Sequence, residues 1–334
     1  MRESVTVYKK ITIIVLLTLV LGACSNFSSG SEKGKASDYP TKPIEVIVPF
    51  AAGGSTDVAA RTIASVAQKY LPNGQTLVIS NKPGGGGAVG LTELLSAKPD
   101  GYTIALASAG SISYQPLYGN TSYSKDSFQS ITMVNTVPQL FVVNADSPWE
   151  TFDEWLKYAK ENPNEFKYGT AGTGIPSHVA MEALNIAAGI KTTNVPYEGA
   201  APTVTALLGG HIDGAIIQPT DVKSHVKSGE LRVLANVGET KMKGFEDVPF
   251  LTDKGIDVAV DVFAGFIGPK DLPEDIVDIL DEAFKKTIED PELTEKFEKL
   301  GIIPKYGNPN DFQKVITDTF ESSKTVVEKA GLLD

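Results

Sequence analysis

The chain has 334 residues, 30 basic and 41 acidic, with a formal charge of −11 and 42% hydrophobic composition. An acidic excess of this size excludes a nucleic-acid binder, whose footprint is a basic face. One cysteine excludes a disulfide framework and a cysteine-built metal site, while length and apolar content suffice for two ordinary domains with buried cores.

At the start, Arg2, Lys9 and Lys10 are followed by an apolar run from Ile11 to Leu21, interrupted by Thr12 and Thr18. The run is short for a membrane-spanning helix and reads as the core of a signal peptide. Leu21-Gly22-Ala23-Cys24 resembles a bacterial lipobox, in which small residues admit the signal peptidase and the cysteine carries a diacylglycerol. Residues 1–23 are therefore expected to be a lipoprotein signal peptide. Cys24 is the expected lipid anchor on the extracytoplasmic face of the cell membrane. Residues 24–38, rich in Ser, Gly and Lys, form a flexible tether. Without residues 1–23 the chain carries 27 basic and 40 acidic residues, a charge of −13.

From residue 40 the pattern alternates between strands and helices. Residues 44–50 read as a buried strand, 55–70 as a helix, 76–80 as a strand, 88–97 as a helix and 103–108 as a strand, a βαβαβ unit. A second series follows: helix 151–161, strand 166–171, helix 177–188, strand 192–197, helix 200–208, strand 213–218, helix 219–228 and strand 231–237. The tail from Pro273 reads as helical, with Ile276, Ile279, Leu280, Ala283 and Phe284 on one face. Such alternation predicts an α/β fold of mainly parallel sheets flanked by helices.

In open parallel sheets ligands bind outside the carboxyl ends of the strands, and three strand-to-helix junctions are rich in glycine and hydroxyl residues. The first holds Phe50, Gly53, Gly54, Ser55, Thr56 and Asp57. The second holds Gly172, Thr173, Gly174, Ser177 and His178, and the third Ser108, Ala109 and Gly110. Glycines let the backbone approach a ligand, and the free amides of a helix start present the positive end of its dipole to an anion. Two such helix starts, one in each series, could grip both ends of a dianion.

The run Asn81–Gly90 contains Gly85, Gly87 and Gly90 at the spacing of a dinucleotide fingerprint, the best argument for a nucleotide-dependent oxidoreductase. Asn-Lys-Pro, however, separates it from the preceding strand, and position 107 is an alanine where an acid would hold a ribose. His178, His211 and His225 lack metal-ligand spacing, and no nucleophile elbow occurs. No cofactor and no metal are expected. Only Arg61 and Arg232 remain as arginines beyond Cys24, neither in a glycine-rich junction. Amides, hydroxyls and water are therefore expected to hold a ligand's negative charge instead of an arginine clamp.

The segments 46–61, 81–90, 98–108, 168–184, 195–213 and 263–273 together resemble the substrate-binding proteins of tripartite tricarboxylate transporters, in order and spacing from about Tyr39 to the end. The resemblance implies a two-domain flytrap of the type II-like periplasmic-binding-protein kind. Domain 1 would comprise 39–142 plus 263–334, and domain 2 residues 143–262. It also implies a monomeric, non-enzymatic receptor that captures a small di- or tricarboxylate such as citrate and delivers it to the membrane permease subunits. The loop Phe50 to Asp57 would hold one carboxylate, while Gly172 to His178 together with Tyr197, Gly199 and Ala200 would close over the ligand. A surface sensor of the same fold is the other reading.

Overall fold

The computed structural model describes residues 38–118, 121–197 and 199–333; the expected signal peptide, Cys24 and most of the tether lie outside them. Tyr39–Asp334 forms one compact unit containing two sheets.

The first sheet has the order β11-β4-β10-β3-β1-β2, built from β1 (Ile44–Val48), β2 (Leu77–Asn81), β3 (Thr103–Ser108), β4 (Phe128–Pro138), β10 (Asp261–Pro269) and β11 (Ile303–Gly307). The second has the order β7-β6-β8-β5-β9, from β5 (Leu140–Asn144), β6 (Lys167–Thr170), β7 (Thr193–Pro196), β8 (Gly214–Ile217) and β9 (Leu231–Asn236). The predicted parallel arrays are present as β2-β1-β3 and β7-β6-β8. Both sheets are nevertheless mixed, which corrects the expectation of mainly parallel sheets. β10 inserts antiparallel between β3 and β4, β11 pairs antiparallel with β4, and β5 runs antiparallel between β8 and β9.

The inserted strands belong to the connections between the sheets. The chain leaves β4 through Gln139 directly into β5, and returns after β9 into β10. A strand arriving from the other sheet enters opposite in direction to strands fed by local βαβ crossovers. The tail is likewise not helical throughout: β11 separates α8 (Pro291–Leu300) from α9 (Pro309–Lys329), after α7 (Glu274–Ile288).

Alternation along the strands divides the core over both faces of each sheet. Val46, Val48 and Ile104 pack with α1 (Ser55–Ala67), α7 and α8 on one face of the first sheet. Ile47, Ala105 and Ala107 pack with α2 (Ala88–Leu95) and α9 on the other. In the second sheet, Phe141 and Val143 face α3 (Phe152–Glu161) and α4 (Pro176–Ala188). Leu140 and Val142 face α5 (Ala200–Leu208) and α6 (Pro219–Ser228). Trp155, fully buried on α3, sits against Phe141, Phe152 and Phe166 at centroid separations of 4.4, 5.3 and 5.3 Å. These sheets hold the strand-to-helix junctions in place. No described helix is long and apolar enough to cross a membrane.

Candidate functional site

The first junction leaves β1 and enters α1 through a loop that glycine makes possible. Gly53 has φ +83°, and Gly54 occupies the N-cap without a side chain to satisfy the first turn. The amides of Ser55 and Thr56 consequently find no partner among the described residues. Asp57 has a different task. Its carboxylate, 2% exposed, accepts the Gly53 amide at 2.8 Å, Arg61 Nε at 3.0 Å and Asn81 Nδ2 at 2.9 Å. Asn81 also donates to the Phe50 carbonyl at 3.1 Å and accepts from Arg61 at 3.0 Å. Burial pushes the Asp57 pKa up, yet the donors from Arg61, Gly53 and Asn81 outweigh it and hold the carboxyl below the ordinary value. Asp57 therefore braces the loop from behind while Gly53, Gly54 and Ser55 face solvent.

The glycine run is a packing device. A Cβ on Gly90 would lie 2.9 Å from the Pro49 backbone, and one on Gly87 would lie 2.6 Å from Ser111 and 3.4 Å from the Phe50 ring. Hydrogen at these positions brings the start of α2 against the end of β1 and sets Phe50 beside the third junction. There the Ser108 amide donates to Ser111 Oγ at 3.2 Å, and that hydroxyl donates back to the Ser108 carbonyl at 3.0 Å. The bend buries Ala109 and leads through a wide helical turn, Gly110–Tyr114, to a tight one, Gln115–Tyr118.

Tyr118 carries this chain of contacts across to the second sheet. Gly174, φ +73°, lies so close to the Tyr118 ring that a Cβ would come within 2.5 Å of it. On its other side the Gly174 amide donates to His178 Nδ1 at 3.0 Å. His178 is 3% exposed, and burial, partly opposed by Glu182, lowers its pKa. A neutral ring accepting at Nδ1 carries its proton on Nε2, which lies 3.2 Å from the Asn194 amide. Asn194 must then present its oxygen to His178 and its nitrogen to the Thr170 hydroxyl, 2.9 Å away. The histidine thus holds the Gly172–Gly174 loop in shape, and Thr173 is exposed at its tip. Tyr197 hydrogen-bonds the Thr170 carbonyl through its amide at 2.8 Å, and Gly199, φ +121°, caps α5 without a side-chain bond.

Three helix starts converge in the second half. The first residues of α4, α5 and α6 line one cavity of about 90 Å3 through Pro176 and Ser177, Ala200 and Thr203, and Gln218 and Asp221, with Gln139 at the crossing between the sheets. None of these helices has a side-chain N-cap bond. Their positive dipole ends therefore point into a space without a single basic side chain among its lining residues. Both arginines are engaged elsewhere, Arg61 with Asp57 and Arg232 with the Trp149 carbonyl at 2.8 Å. A larger cavity of about 470 Å3 lies between α4, α9 and residues 257–263, but Glu239, Asp257, Asp261 and Asp318 against Lys305 make it hostile to an anion. Among the described residues no group of acids, His or Cys is arranged to hold a metal ion.

The cavity brings together Ser177 and Ala200, which the sequence singles out, with Gln139, Gln218 and Asp221, which it does not. Gln218 and Asp221 open α6 directly after β8, so the strand-end rule applied to that junction too. Its lack of glycine hid it. Gln139 had no local signal, because its position follows from the crossing alone.

The model of the tripartite tricarboxylate transporter family receptor, TctC, matches residues 59–332. A Cupriavidus necator protein described as the UPF0065 protein in the gbd 5' region is 33% identical over 306 residues, 90% of this chain and 91% of that one. Among solved structures, a TctC solute-binding protein from Polaromonas, without ligand, is 35% identical, with a TM-score of 0.77 over 87% of this chain and 99% of its own. An R. palustris protein solved with adipate is 25% identical, with a TM-score of 0.76 over 88% and 99%.

Proposed function

The chain belongs to the tripartite tricarboxylate transporter receptor family and is a solute-binding receptor, not an enzyme; from that premise we propose that it captures a small organic carboxylate and delivers it to the permease subunits of such a transporter. The observation that carries this reading is the set of uncapped helix starts, α1 after the first strand and α4, α5 and α6 around the cavity, with no basic side chain beside them. An anion meeting these amides gains charge-assisted hydrogen bonds of about 1.5–3 kcal/mol each. The adipate in the R. palustris relative is a ligand of this chemical kind.

In the proposed mechanism residues 39–142 plus 263–334 and residues 143–262 act as two domains that close on the ligand. Phe50 to Thr56 receives one carboxylate, while Ser108 to Gly110, Gly172 to His178 and Tyr197 to Ala200 complete the enclosure. A ligand touching both shifts the open-closed balance by its differential affinity for the closed form, and the permease reads that form. Citrate and other di- and tricarboxylates are the candidates, and the receptor works as an extracytoplasmic monomer held at the membrane by lipid on Cys24.

A melting-shift screen across mono-, di- and tricarboxylates tests the core of this reading. A ligand at a hundredfold excess over its Kd should add about 2.7 kcal/mol of stability; a flat result over the whole panel would sink the proposal. Cys24→Ala should release a folded protein that binds its ligand normally but supports uptake poorly. Loss of binding in that variant would contradict a purely tethering role.

A further inference from the structure

Tyr118 joins the two halves of the chain on the side of the ligand loops. It ends the turn Gln115–Tyr118, beyond the carboxyl end of β3, and Gly174 lies in the loop beyond the carboxyl end of β6. A Cβ on Gly174 would come within 2.5 Å of the tyrosine ring and 2.7 Å of its hydroxyl, so hydrogen at this position is what admits the ring. The Gly174 amide is held in turn by His178 Nδ1, and the ring therefore leans on the loop that His178 fixes. Next to that histidine, Val179 is 2% exposed in a cluster whose other buried members, Tyr114 and Phe312 among them, come from residues 39–142 and 263–334. The contact between the halves is thus close and largely apolar.

The hydroxyl of Tyr118 works against that contact. Its oxygen is buried and has no hydrogen-bond partner among the described residues. Burial, with Tyr114 nearby, pushes its pKa up to about 12, so at neutral pH it is a protonated donor in need of an acceptor. Such a donor is penalised while the halves are together and regains water when they part. The ring favours the joined arrangement and the hydroxyl opposes it. Resting on the proposed closure over a carboxylate, we propose that Tyr118 is a clasp that sets the strength of closure: its ring holds the Gly172–Gly174 loop against the first half, and its buried hydroxyl keeps that hold weak enough for release. A penalty carried by the closed protein, and not by the ligand, scales the affinity of every ligand by one factor.

Two substitutions separate the ring from the hydroxyl, read by calorimetric titration of the full-length protein with succinate, malate, adipate and citrate. Tyr118→Phe keeps the ring and deletes the hydroxyl. It should tighten every acid that the unaltered protein binds by one common factor, about fivefold or more, and rapid-mixing kinetics should place the gain in slower dissociation. Tyr118→Ala removes the ring as well and should weaken the same acids by a common factor, with faster dissociation; Tyr118→Leu replaces it should that variant fail to fold. A hydroxyl of purely structural weight would instead raise the melting temperature of the ligand-free Tyr118→Phe protein and leave affinities and dissociation rates unchanged, which would overturn the inference. Weaker binding by Tyr118→Phe, which would make the hydroxyl a donor to the ligand, or a changed order among the four acids would overturn it too. In each of these cases the unaltered protein still binds and the carboxylate reading stands, whereas no binding of any of the four acids would overturn both.

Discussion

The loop between β1 and α1 and the cavity at α4, α5 and α6 present the same chemical group, the uncapped amides of a helix start, in two different settings. Behind the first loop Asp57, Arg61 and Asn81 form a network that pairs the Asp57 and Arg61 charges with each other, so the loop itself presents backbone and small side chains. Around the second, the side chains of Gln139, Ser177, Gln218 and Asp221 line the cavity and bond no described residue. A braced backbone surface offers any carboxylate the same contacts, whereas side chains awaiting a partner distinguish one ligand from another. The division of labour proposed here, generic capture in the first half and discrimination in the second, follows from that difference.

The comparison can be broken at its stiffest point. Asp57→Ala removes the acceptor shared by Gly53, Arg61 and Asn81; since Arg61 is half exposed and regains water, the cost should be about 2 kcal/mol. Thermal unfolding should show a melting temperature several degrees lower, and titrations should show all carboxylates weakened by a common factor. A changed order of ligands would mean that the first loop discriminates after all. Ser55→Pro is gentler, because proline suits the first helical position and deletes only one amide. Losing one charge-assisted bond of about 1.5–3 kcal/mol should weaken every ligand roughly 10- to 150-fold at little cost in stability.

The matching change in the cavity, Ser177→Ala, should act in the other sense. It leaves the helix start intact and should shift the ratio between ligands by about fivefold, one neutral hydrogen bond's worth. A uniform loss across ligands would erase the contrast between the two regions. The smallest effect concerns His178. The unfolded chain takes up a proton near pH 6.5, while the buried imidazole resists protonation until lower pH. Stability from this group is therefore full above 6.5 and declines as pH falls toward the folded value. His178→Gln, which keeps an acceptor for the Gly174 amide, should flatten the dependence of melting temperature on pH in that window. An unaltered slope would place its origin elsewhere.

Much of the architecture was legible from local pattern. The helices at 152–161, 200–208 and 219–228 and the strands at 103–108 and 231–236 fall where apolar spacing and cap residues put them, because each buries a face set by its own period. β4 was not legible, since Gln129, Ser130, Thr132, Asn135 and Thr136 break any alternation and most of them are buried by neighbours on both sides. β10, with Gly265 and Gly268, gave no stronger signal, and Gly265 is needed where Phe312 of α9 presses on the strand. The candidate site divides in the same way. Glycine and hydroxyl residues marked three junctions, but nothing in the local string separated Asp57, turned inward as a brace, from Asp221, left facing a cavity.

By itself, the sequence determined the family, the two series of strands and helices, and the scarcity of arginine beyond Cys24, because periodicity, glycine and a missing residue type are properties of the string. Tertiary structure alone decided that β10 and β5 insert antiparallel, that Tyr118 meets Gly174, and that Gln139 joins three helix starts around one cavity. The physical reason is that a carboxylate or amide is tied down or left open only by what the rest of the chain brings within hydrogen-bond reach, and those partners lie far away in sequence.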